Sequence, residues 1–243
     1  MRFSVTRIRA IYQKELREYR RNRLIVVTMV ILPVVFIAIP IVLIFTAPHS
    51  ETTSQLDISI GTELLLMLVI PAVIPSTLAS YSVVGEREQG TLEPVLTTPI
   101  RSEEFAVGKA LAVLIPTLVI SYVVFAVYLA CAVFAHPSVT SAVFGSSHLL
   151  ILLLFTPLLA SWSIWAGIAI STRSSDVRVA QSLGTFASFP PLILTALILF
   201  NVIHHPFILT LALVVALLVF DGLGWRLVSA LFDRERLVTG TRS

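Results

Sequence analysis

With 243 residues, 56% of them apolar and 13% charged, and a mean hydropathy of +0.93, the chain has too few charges to clothe a water-soluble surface, where about a quarter of residues are charged. A net charge of +3 and a pI near 9.4 invite a nucleic-acid reading, but the basic residues flank apolar segments and line no polar surface, so lipid is the partner implied and nucleic acid is not. A single cysteine, Cys131, excludes an intrachain disulfide and any cysteine-based zinc or redox motif.

In residues 1–23, Val5, Ile8, Tyr12, Leu16 and Tyr19 recur at helical spacing, with Arg9, Lys14, Arg17, Arg20 and Arg21 largely on the other faces. This pattern predicts an amphipathic helix at the membrane interface, either fixing topology against headgroups or lying against a partner protein. Six apolar runs follow: Leu24 to Thr46, Glu63 to Val84, Phe105 to Phe134, Leu149 to Ser171, Leu183 to Ile203 and Phe207 to Val228. Each meets the roughly 20 residues that carry a helix across hydrocarbon, where backbone groups bond only within the segment. Only His204, His205 and Pro206 divide the last two, which calls for a tight turn. The 23 polar-rich residues before the first run are unlike a cleaved signal peptide, so the first span is expected to stay as an anchor. The expectation is an all-α integral membrane protein: one domain over 1–243, with an interfacial helix in 1–23, a six-span bundle in 24–228 and a tail in 229–243.

Of the 17 Lys and Arg, eight precede the first span, three lie between Val84 and Ala110, two between Ser171 and Gln181, and four from Arg226 onward. The alternate segments, Ala47 to Thr62, Ala135 to His148 and His204 to Pro206, contain none. Because cytoplasmic loops hold the basic excess, this predicts a multi-pass protein of the cell membrane with both termini cytoplasmic.

The most informative loop is Gly85 to Lys109. Gly90 and Thr91 can start a short helix with Glu93 near its positive end and Pro94 in its first turn; Pro99 then disfavours helix at Thr98. Ser102, Glu103 and Glu104 form a capping pattern for the helix leading into the third span. A short surface helix held between two long ones suits force transfer.

These residues resemble the permease subunits of ATP-binding-cassette transporters of the type-2, exporter-like class. The resemblance rests on Lys14, Glu15 and Leu16 in the basic helix, on six spans, on Glu86, Glu88, Gly90, Thr91, Glu93, Leu96 and Pro99 in the loop, and on the pair Gly108 and Lys109. It implies that Glu86 to Pro99 forms a coupling helix seated on a separate ATPase, that the permease pairs with itself or a related chain and recruits an ATPase dimer, and that ATP and magnesium bind on that partner. It also implies transport across the inner membrane, with export as the direction. Re-entrant helices before the last span, present in several members, do not fit the short His204 to Pro206 connection unless the fifth span is broken at Pro190 and Pro191. No ATPase is expected on this chain: a phosphate loop needs Gly-x-x-x-x-Gly-Lys-Ser/Thr, and around Gly108 and Lys109 the sequence has Glu103 and Ala110 instead.

Asp221 is the acid placed deepest in a predicted span, about 21 Å along the last one. It is read either as a structural partner of Arg226 or a basic loop residue near the inner interface, or as a proton-carrying group. The histidines His49, His136, His148, His204 and His205 fall in predicted outer segments and are read as incidental polar loop residues, with no metal site expected. Pro71, Pro75, Pro116, Pro157, Pro190 and Pro191 are expected to kink spans, and Ser76, Thr77, Ser80, Ser121, Thr156 and Ser161 to bond between helices. Two competing functions use the same residues differently: an ion- or proton-coupled secondary transporter working through Asp221, and a non-transporting membrane scaffold.

Overall fold

A computed structural model describes residues 4–46, 53–90, 100–135, 137–145, 148–200 and 206–238. Among them are eight helices: α1 (Val5–Arg21), α2 (Arg23–Thr46), α3 (Thr53–Glu88), α4 (Ser102–Val133), α5 (Pro137–Gly145), α6 (His148–Arg173), α7 (Val177–Leu199) and α8 (Pro206–Val238). Six of them (α2, α3, α4, α6, α7 and α8) are long and apolar enough to cross a bilayer. The order matches the expected bundle, and the differences lie at the ends. α3 begins ten residues before Glu63, because the polar stretch from Thr53 continues the same helix; its 36 residues reach about 54 Å, well beyond the hydrocarbon thickness. α7 starts at Val177, where the Asp176 carboxylate accepts the Arg178 and Val179 N–H groups at 2.7 and 3.2 Å. The connection after α4, expected as a loop, contains α5.

The prolines do not break these helices. α3 runs through Pro71 and Pro75, and α7 runs unbroken through Pro190 and Pro191, so the broken fifth span is not formed. Nor do three of the six singled-out hydroxyls join helices: Ser76, Thr77 and Thr156 donate to carbonyls of their own preceding turns, at 2.8, 2.8 and 2.7 Å.

α3 is the central post, packed against α2, α4, α5, α6 and α7. Small residues make that possible: a Cβ on Gly184 of α7 would overlap the Ser80 hydroxyl of α3 and lie 3.2 Å from the Ser76 carbonyl. Buried apolar side chains form two clusters along the post. One gathers Leu64, Leu68, Tyr128, Phe155 and Leu199, and the other Ile74, Val83, Phe105, Ile164 and Ile168 with Ile11 and Tyr19 of α1. α2 and α8 are the least buried spans, as lipid-facing helices should be.

Candidate functional site

The second cluster ends in a knot of charge where α1, α3 and α4 meet. Lys109 is fully buried, although an ammonium is among the costliest groups to take out of water. Its Nζ donates to Glu15 Oε1 at 2.9 Å and to the Ser82 carbonyl at 2.8 Å, lies 3.2 Å from Glu86 Oε2, and sits 4.9 Å above the Phe105 ring. Lys14 closes the other side, bonding Glu86 Oε1 and lying 3.3 Å from Glu15 Oε1 and 3.1 Å from Glu18 Oε1. α1 is thereby joined to α3 and to α4 through groups 72 and 94 residues apart in sequence.

The charges shift one another where α1 contributes them. Burial would raise the Glu15 carboxyl, but Lys109 and Lys14 prevail and hold it below its ordinary value. Burial would lower the Lys14 ammonium, and Glu15 and Glu86 raise it instead. Burial, then the Glu15 and Glu86 charges, push the Tyr19 hydroxyl well up. Oxygens of Glu15, Glu18 and Glu86 lie within 4.8 Å of one another, a spacing a cation could bridge, but the Lys14 ammonium already contacts all three. The trio is neutralised by lysine rather than arranged for a metal. Beside it opens a cleft of about 450 Å³ lined by Glu18, Tyr19, Arg21, Arg23, Tyr81 and Gln89.

α1 is pinned to α4 along its length. Glu104, fully buried, accepts the Ser4 N–H at 2.8 Å and lies 3.4 Å from the Arg7 guanidinium. It also accepts the Arg101 N–H at 3.3 Å, so the helix cap sits at Arg101, one residue before the expected Ser102. Midway, a Cβ on Gly108 would lie 2.8 Å from Ile11 Cβ, so only glycine admits α1 this close. The buried face of α1 is Ile11, Glu15 and Tyr19, with Tyr12 and Leu16 partly covered; Val5, assigned to the apolar stripe, is 78% exposed. That face meets α4 of its own chain.

Of the loop residues, Glu86 and Glu88 stand on the last turn of α3 and not on a separate helix. Glu86 is 5% exposed and turned into the knot. Glu88 accepts the Val177 N–H at 3.2 Å, while Arg87 donates to the Ser174 and Thr172 carbonyls at 2.9 and 3.1 Å, so the end of α3 also grips the α6–α7 turn. Gly90 follows with φ +67°, the left-handed conformation that closes a helix, in place of the expected helix start. Thr91, Glu93, Leu96 and Pro99 lie outside the described residues, as do His49, His136, His204 and His205.

Two further acids lie in spans. Asp221 does not meet Arg226, whose guanidinium stacks 5.5 Å from the Trp225 ring; among the described residues its buried Oδ1 has no hydrogen-bond partner. Glu63, taken as the start of a span, is inside α3, 3% exposed, and accepts the Tyr128 hydroxyl at 2.6 Å. Its partner stands 65 residues away, beyond the reach of spacing arguments. His148 is likewise more than a loop residue: it begins α6, is buried, lies 3.2 Å from the Leu199 carbonyl and 3.7 Å from Asp57.

Six apolar spans and an amphipathic helix locked across the base of two of them define a multi-pass membrane protein. The chain belongs to the ABC-2 type transporter family, whose pattern it matches over residues 6–200. That match describes the membrane permease part of such a transporter, not its ATPase. No curated protein matches the chain significantly.

Proposed function

We propose that this chain is the membrane half of an exporter in the cell inner membrane, with both termini cytoplasmic, and that it pairs with itself or a related permease over a dimer of separate ATPase subunits. ATP and magnesium belong to those partners, and the segment from Glu86 to Pro99 acts as the coupling element. ABC-2 permeases generally work with ABC ATPases, and the observation that carries the reading here is the convergence of Lys14, Glu15, Glu86 and Lys109 at the foot of that segment. A push on the segment reaches α3 directly and α1 and α4 through the ion pairs, while Arg87 and Glu88 carry it to α6 and α7. Closure of the ATPases would thus move the inner ends of several spans together, as alternating access requires.

Glu93 is the acid of the segment proposed to face the ATPase. We expect Glu93→Arg to leave the chain inserted and abundant yet to weaken ATPase copurification at least tenfold, since losing a buried charge contact costs about 2–5 kcal/mol. Wild-type copurification by Glu93→Arg would remove its assigned role, and failure of the wild-type chain to recruit any ATPase would remove the permease reading. A second reading, proton coupling without an ATPase, is favoured only by the buried, unpartnered Asp221 oxygen. It requires Asp221→Asn to abolish transport at unchanged abundance.

A further inference from the structure

A groove of about 760 Å³, separate from the charged knot, opens between the ends of α6, α7 and α8. These ends lie on the same side as α1, because Arg87 and Ser171 tie the end of α6 to the end of α3. The walls are apolar, formed by Val179, Leu183, Phe220 and Leu227 among others, and three of these keep about half their surface uncovered: Val179 53%, Leu183 49%, Leu227 57%. The mouth is polar, with Arg173 and Ser175. The exposed Arg173 guanidinium has no partner among the described residues, and neither has the Ser175 hydroxyl.

We propose that this groove binds one anionic phospholipid of the leaflet next to α1, its acyl chain against Leu183, Phe220 and Leu227 and its phosphate on Arg173. Three observations favour that occupant. The groove lies at the end of membrane spans, so its apolar walls face acyl chains. The only cation among its described lining residues, Arg173, is at the headgroup end, and a guanidinium matches phosphate oxygens in pairs. The α7 N-terminus offers no competing site, because Val177 N–H is bound by Glu88 and those of Arg178 and Val179 by Asp176, leaving Arg173 and Ser175 as the donors for a headgroup. A second copy of the chain fits less well, since a two-fold contact centred on this face would bring a second Arg173 towards the first, and no acid is among the groove's described lining residues.

The test is native mass spectrometry of the full chain in detergent, titrated with phosphatidylglycerol and with phosphatidylcholine of the same acyl chains. The expected result is one phosphatidylglycerol per chain, held about fivefold more tightly than phosphatidylcholine, the ratio one basic contact supplies. Arg173→Gln should erase the preference and Arg173→Lys retain most of it. Leu183→Trp, filling the groove without altering charge, should weaken both lipids, and Arg9→Gln on exposed α1 should change neither. Equal retention of the two lipids by the wild-type chain, or an unchanged preference in Arg173→Gln, would overturn the proposal. So would a chain dimer that Leu183→Trp dissociates with no effect on lipid, which would assign the groove to a second copy.

Discussion

Lys109 illustrates how a buried charge becomes tolerable among opposite charges and acceptors: its ammonium donates to Glu15 and the Ser82 carbonyl and lies 3.2 Å from Glu86 Oε2. Replacing it with methionine keeps the volume but leaves two carboxylates buried with Lys14 alone, and a broken buried pair costs about 3–5 kcal/mol. We expect Lys109→Met to lower thermal stability in detergent and to free α1, and the exchanged pair Glu15→Lys with Lys109→Glu to recover part of the loss; no loss in the single variant would show the knot to be inert. Its pH dependence follows from the shifts of the α1 groups. Glu15, held below its ordinary 4.5, stabilises the fold fully above that value and stops doing so as pH falls through its lower folded one. Lys14, raised above its ordinary 10.5, stabilises fully below that value and stops doing so as pH rises through its higher folded one. An environment-sensitive fluorophore on exposed Thr6→Cys, in a Cys131→Ser background, should therefore report docked α1 unchanged between about pH 5 and 10 and released in stronger acid. A transition near neutrality would contradict this account. None of the knot was visible to spacing rules, because Glu15 and Lys109 look like ordinary interfacial charges until the fold brings them together; the motifs Lys14-Glu15-Leu16, Glu86-x-Glu88 and Gly108-Lys109 were legible, but not that they touch.

Among the helices, those with the longest apolar runs were readable because a membrane span must satisfy its own backbone, and that demand is written in composition. What misled was the assumption that polar residues end a helix. α3 continues through Ser54, Gln55 and Asp57, and so Glu63 became an interior residue paired to Tyr128 instead of a boundary. The same limit applied to hydroxyls, whose nearest carbonyl is usually one turn back on the same helix. Close approach is the other device that sequence leaves unstated. Gly184 admits Ser80, so Gly184→Leu should wedge α7 off α3 and lower stability by at least the 1–3 kcal/mol typical of overpacking. Gly184→Ala should be milder, and Ser80→Gly in that background should relieve it, since two of the three nearest atoms, both of Ser80, are removed. Equal stability of Gly184→Leu and wild type, by thermal unfolding in detergent, would mean this seam is not closely packed.

For the whole molecule, six spans place the two termini on one face, and the distribution of all 17 basic residues assigns that face to the cytoplasm in the proposed topology. In that topology the knot lies where the proposed ATPase would push, and α5 packs at the opposite end, against the start of α3 and the end of α4. Ser141 on α5 is exposed and makes a convenient outer reporter, whereas Ser102 is buried and a poor inner one; exposed Thr6 serves better. The decisive measurement is the rate at which an impermeant thiol reagent labels Ser141→Cys, in a Cys131→Ser background, in vesicles holding the permease with its ATPase, before and after ATP is added on the α1 side. The account predicts labelling of Ser141→Cys and protection of Thr6→Cys in right-side-out vesicles, a change in the Ser141 rate on adding ATP, and loss of that change in Lys109→Met although the ATPase still binds and hydrolyses ATP. An ATP-dependent change of wild-type size in Lys109→Met would contradict it.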